Sequence, residues 1–83
     1  MYELVIKTSA RKEFARLDRV AQARILVSLD RLCRAPFQGK ELHGDLKGLR
    51  SLRVWPYRII YEIIKHELIV FVVEISHRKD AYR

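Results

Sequence analysis

The spacing of apolar positions changes twice along this chain, and the changes divide it into a strand, a pair of helices and a run of strands. Tyr2, Leu4 and Ile6 recur with a period of two, which predicts a first strand over residues 2–7. Thr8 and Ser9 end it. Ser9 is the expected N-cap of a helix, because its hydroxyl can accept an orphan backbone N–H, and Ala10, Phe14 and Leu17 follow at helical spacing. A second helix is expected from about Val20 to Cys33, with Ile25, Leu29 and Leu32 on one face and Leu26 and Cys33 widening it. Arg16, Arg19, Arg24, Arg31 and Arg34 mostly fall elsewhere on these helices. The turn between them is very short, so they form an antiparallel hairpin with one apolar side to bury.

Pro36 ends the second helix, since the residue before a proline is pushed away from helical angles, and Gly39, Gly44 and Gly48 punctuate the stretch after it. Residues 36–48 therefore read largely as loop. Three strands are expected at residues 49–55, 57–64 and 68–75, joined at Pro56 and at Lys65–His66–Glu67. Connections this short impose an antiparallel meander. The predicted fold is α+β, in the order β-α-α-β-β-β, with the helical hairpin on one face of a twisted sheet and the other face left available. Strand parity puts Arg50, Leu52 and Val54 on one side of their strand and Ser51, Arg53 and Trp55 on the other. Trp55 and Tyr57 read either as core aromatics or as stacking platforms.

The 83 residues and 49% hydrophobic content suffice for one compact core, so residues 1–83 are taken as a single domain with no room for a large enclosed cofactor pocket. Lys and Arg number 17 against 10 for Asp and Glu, a net charge of +7. That excess favours a polyanionic partner, nucleic acid first and an acidic protein second, because a basic surface gains affinity by displacing counterions from phosphates. Met1 to Lys7 lacks the pattern of a secretory signal, and the longest apolar run, Leu68 to Val73, has the length of a buried strand, so a soluble cytoplasmic protein without a membrane partner is expected.

Chemistry narrows by residue type. No nucleotide-cradling glycine loop or metal-binding motif is present, His43, His66 and His77 are scattered over different elements, and Cys33 lies in the apolar pattern of a helix; no cofactor and no metal are expected. Metal-free RNA cleavage instead needs a group to take the ribose hydroxyl proton, cations on the phosphate and a proton donor for the leaving oxygen. Arg, His and Tyr supply these. Arg58 opens one strand and Arg78 follows the next, and in an antiparallel hairpin the start of one strand lies beside the end of its partner. Two guanidinium forks would then meet one phosphate. His77 is a candidate general acid or base, titrating near pH 6.5 when unperturbed, with a structural role at the strand end as its alternative. Tyr82 is a candidate for base stacking or proton positioning, its alternative being a frayed end. Lys47, Arg50 and Arg53 form a basic cluster for flanking phosphates, and residues 76–83 crowd further polar groups, Lys79 and Arg83 among them, onto the last strand's end.

Thr-Ser-Ala-Arg-Lys-Glu-Phe at residues 8–14, the segment Leu46 to Arg53, Tyr57-Arg58-Ile59-Ile60-Tyr61 and the ending His77-Arg78-Lys79-Asp80-Ala81-Tyr82-Arg83 together resemble the RelE/ParE superfamily of toxins over nearly the whole chain. The resemblance implies a RelE-like sheet backed by a helical hairpin and, in the RelE branch, ribosome-dependent mRNA cleavage by 2′-hydroxyl attack. Arg58 would match a phosphate-binding arginine, Arg78 the one after the fourth strand, Tyr82 the terminal tyrosine, and His77 a position where some members carry lysine. The paired lysines that RelE enzymes present on the second strand appear here as Leu49 and Ser51, and a C-terminal helix is absent. An acidic antitoxin partner in a hetero-oligomer, together with ribosome and mRNA, is implied in the same way. The ParE branch implies a different outcome, inhibition of DNA gyrase without cleavage.

Overall fold

The computed structural model describes residues 1–77. Its elements are β1 (Glu3–Ile6), α1 (Thr8–Ala15), α2 (Arg19–Arg34), β2 (Lys40–Glu41), β3 (Arg50–Val54), β4 (Tyr57–Ile64) and β5 (Ile69–His77), with single 3₁₀ turns at Pro36–Gln38, Gly44–Leu46 and Lys65–Glu67. The sheet order is β1-β5-β4-β3-β2. β3, β4 and β5 form the expected antiparallel meander, while β1 lies parallel to β5 at one edge. The two-residue β2 adds a fifth strand inside the segment expected to be loop, pairing Lys40 with Ser51 and Glu41 with Arg50. Nothing apolar or periodic marks so short a strand. Among the described residues no helix is long and apolar enough to cross a membrane.

Alternate strand positions and one stripe of each helix build the core. Ala10, Ile25, Leu29 and Leu32 of the helices meet Val54, Ile59, Tyr61, Val70, Val72 and Ile75 of the sheet, and Leu4, Ile6, Phe14 and Leu52 pack at the margin. Ala10 is fully buried, and its small side chain lets α1 lie close on β5. Burial pushes the Cys33 thiol up from its ordinary pKa, with Asp30 adding to the effect, so the sulfur stays protonated as a core side chain.

The helix starts correct one expectation. β1 runs into α1 without a linker, so Lys7 takes the N-cap position, no side chain caps the helix, and Ser9 lies inside the first turn. The side-chain cap belongs to α2, where Asp18 accepts a hydrogen bond from the backbone N–H of Ala21 at 2.8 Å. Gln22 secures the same corner by donating from Nε2 to the Phe14 carbonyl at 3.1 Å. Asp18→Ala is expected to cost about 1 kcal/mol, a fall in Tm of roughly 4–8 °C for a domain this size by calorimetry.

A bulge in β5 decides which face its last residues occupy. Tyr61 pairs with Val72 but Ile60 pairs with Glu74, which leaves Val73 without a counterpart on β4. Before the bulge Val70 and Val72 point into the core; after it the inward position passes to Ile75. Glu13 of α1 sits beside this irregularity, its Oε1 accepting from the backbone N–H of Ile75 at 3.4 Å.

Candidate nucleic-acid interface

Arg53 of β3 and Arg58 of β4 are direct cross-strand partners. Directly opposed residues share a face, and this one is the face turned away from Leu52, Val54 and Ile59, hence away from the helices. Like charges placed opposite each other weaken a strand pair, so the arrangement favours an anion between them. Gln38, Lys40, Leu42, Ser51 and Leu52 join the two arginines around an open groove of about 590 Å³. On the other side of Arg58 the register brings Ser76, which is buried and whose Oγ has no hydrogen-bond partner among the described residues.

The remaining basic residues are distributed differently from the sequence expectation. Arg50 falls on the helix side of β3 as parity predicts, and its guanidinium is engaged: Nη1 donates to the Gly39 carbonyl at 2.8 Å, Nη2 to Glu41 at 2.9 Å, and Cζ stands 5.1 Å from the Phe37 ring centroid. Lys47 lines a separate cleft of about 520 Å³ with Phe37, His43, Arg50 and Lys65. Lys47 and Arg50 therefore do not join Arg53 at one phosphate cradle. Arg50→Ala is expected to show as lost stability, roughly 1–2 kcal/mol in urea unfolding, because a charged donor leaves the Gly39 carbonyl.

His77 is also placed apart from Arg58. It pairs with Tyr57, and their rings meet edge-to-face with centroids 5.5 Å apart. The pairing puts it on the helix side of the sheet, because the bulge at Val73 has reversed the alternation. Arg78, Lys79, Tyr82 and Arg83 lie outside the described residues. The antiparallel hairpin is regular in its pairing from Glu74 to His77, and His77 lies opposite Tyr57, the first residue of β4. Sequence reasoning did not single out Gln38 or Lys40: the two-residue β2 brings Lys40 beside Ser51, which parity had already put on the Arg53 side, and only knowledge of that pairing would have exposed Lys40.

Comparison with known proteins decides the family. The model of the ParE toxin of type II toxin–antitoxin systems matches residues 4–82. This chain belongs to the RelE/ParE superfamily of type II toxins. The toxin is 32% identical to Toxin RelG of Mycobacterium tuberculosis over 99% of its own length and 97% of the relative's, and likewise 32% identical to Toxin RelE of that organism, covering 87% of it. Its fold superposes on the toxin–antitoxin complex RelBE2 of the same species with a TM-score of 0.87 at 29% identity, over 93% of this toxin and 98% of that chain. The isolated RelE toxin of Escherichia coli shares the fold at a TM-score of 0.82 and 21% identity, over 93% of this toxin and 84% of that chain. The α+β architecture expected from periodicity is thus the fold of these toxins, with one additional short strand.

Proposed function

We propose that this toxin is a ribosome-dependent mRNA endoribonuclease that inhibits translation. The observation that carries the reading is the in-register pair Arg53 and Arg58 in a basic groove on the sheet face away from the helices. In the proposed reaction the ribose 2′-oxygen attacks the adjacent phosphorus, its proton passes to a base, the bond from phosphorus to the 5′-oxygen breaks, and a proton is delivered to that leaving oxygen. The products are a cyclic phosphate and a free 5′-hydroxyl. Arg58, with Arg78, neutralises charge developing on the phosphoryl oxygens, the contribution that preorganised cations make best. Arg53, Lys79 and Arg83 hold neighbouring phosphates, with Lys47 further along the RNA, while Arg50, engaged with Gly39 and Glu41, keeps the segment before β3 in place. Tyr82 and His77 are the candidates for moving the proton, and the placement of His77 beside Tyr57 favours Tyr82.

The antitoxin is proposed from the relatives, since RelBE2 of Mycobacterium tuberculosis is a toxin–antitoxin complex. A chain of net charge +7 suits an acidic, wrapping partner in a hetero-oligomer, bound in the cytoplasm. The name of the matching family model supports a second reading, a ParE-like toxin that inhibits DNA gyrase. Primer extension on mRNA in a purified translation system separates the two. Cuts that require the ribosome support the nuclease; intact mRNA together with blocked supercoiling in a gyrase assay supports the alternative.

A further inference from the structure

A second basic groove opens where α2 meets the end of β3. Arg24, Val27, Ser28 and Arg31 follow one another at helical spacing and form a single stripe of α2; Arg53, Val54 and Trp55, at the end of β3, complete the lining of a space of about 350 Å³. Among the described residues no carboxylate lines it. The nearest acid on the helix, Asp30, is bound to Arg34 at 3.3 Å, and among the described residues Arg24, Arg31 and Arg53 have no ion-pair partner. Trp55 is 52% exposed and puts a large aromatic surface at the rim of a groove whose charged lining, among the described residues, is cationic.

This groove is continuous with the one proposed for cleavage. Arg53 lines both. Among the described residues β2 pairs only with Arg50 and Ser51 of β3 and no strand pairs with Leu52 to Val54 on that side, so a chain lying across Arg53 and Arg58 would reach α2 by way of Arg53, which both grooves share. Arg24 and Arg31 are about 10.5 Å apart along the helix axis, a spacing that offers successive planar forks to an extended anionic backbone. An indole beside such a track is what single-stranded nucleic acid uses for base stacking. Among the described residues the apolar lining amounts to Val27, Val54 and the indole, too little to seat the apolar stripe of an amphipathic helix.

We propose that this groove binds single-stranded RNA flanking the cleavage site, with Arg24 and Arg31 on phosphates and Trp55 stacked on a base. The assignment of the strand rests on the nuclease reading; the capacity to bind RNA does not, and cleavage is not its readout. Trp55 is the sole tryptophan of the chain, so intrinsic fluorescence reports on the groove directly. The probe is a 2′-O-methyl oligouridylate, which lacks the attacking hydroxyl, titrated into the full-length protein. Saturable quenching is expected, persisting in Arg58→Ala and weakened about tenfold or more in the double variant Arg24→Gln/Arg31→Gln. In that variant the slope of log affinity against log salt should fall by about 1.4, the share of two phosphate contacts on a single strand. Both arginines are exposed on α2, and circular dichroism confirms that the variant folds. Absence of quenching, an unchanged slope in the double variant, quenching lost with Arg58 alone, or equal quenching by poly-glutamate would each overturn the proposal. Loss of ribosome-dependent cleavage in the parent, with the quenching intact, would overturn the nuclease reading and leave the groove standing.

Discussion

Arg58→Ala is expected to lower ribosome-dependent mRNA cleavage by roughly 10²–10³-fold, the usual cost of removing one preorganised group from a developing oxyanion. The loss should fall on the rate with ribosomes saturating, since charge on the phosphoryl oxygens grows toward the transition state and a contact made mainly there affects turnover more than binding. Arg58→Lys is a sharper variant. It keeps the positive charge but replaces a planar two-pronged donor with a point charge, so partial recovery above the alanine variant is expected. Arg53→Ala should be milder and appear chiefly in the salt dependence of binding, because Arg53 is exposed at the rim of the groove. Single-turnover primer extension on the folded variants reads all three. Cleavage by Arg58→Ala at the parent rate would remove the residue on which the proposed site is built.

How much of this site could be read from the chain alone depends on distance from an irregularity. The hairpin of β4 and β5 was legible because apolar runs of strand length flank a short polar connection, and β4 occupies the span its sequence predicts. Parity along β3 separated Arg50 from Arg53 correctly, since that strand is regular. The same rule extended along β5 fails for His77. Val73 breaks the register, and one extra residue moves every later side chain to the opposite face. No residue type announces that bulge, because Val73 is as suited to a regular strand as its neighbours. The second helix was read within a residue at each end, but Asp18 was not singled out as its cap, and the cap expected at Ser9 for the first helix is not made because β1 runs straight into α1. The groove itself was hidden for a different reason. Lys40 reaches it through β2, whose two exposed polar residues carry no periodicity and are ordered by contacts made from far along the chain.

Those distant contacts centre on Tyr61, and Tyr61→Phe is expected to destabilise the protein by roughly 2–4 kcal/mol. The ring is fully buried in the core, and its hydroxyl is the meeting point of the 36–48 segment: it donates to the Pro36 carbonyl at 2.7 Å and accepts from the Gly39 N–H at 2.9 Å. Phenylalanine fills the same space but leaves both backbone groups buried without a partner, so the cost is that of two unmade hydrogen bonds. Gly39 is matched to this contact from the other side, for a Cβ there would meet the Tyr61 ring carbon Cε1 at 2.9 Å. Arg50, opposite Tyr61 across the strands, then holds the Gly39 carbonyl. The segment thus pinned carries Gln38 and Lys40 to the groove, so the variant should lose RNA affinity as well as stability. pH offers a separate check. Burial, outweighing the Gly39 hydrogen bond and the Arg50 charge, raises the Tyr61 pKa above its ordinary value of 10.0. The unfolded chain therefore ionises this phenol first, and its contribution is complete below about pH 10 and declines as pH climbs toward the raised folded value. The gap in stability between parent and Tyr61→Phe, measured by urea unfolding, should be constant near neutrality and narrow in strong alkali. A constant gap at all pH values would mean that Tyr61 ionises as readily in the folded protein as in the unfolded chain, and a negligible gap would mean that its hydroxyl does not anchor the segment on which the groove depends.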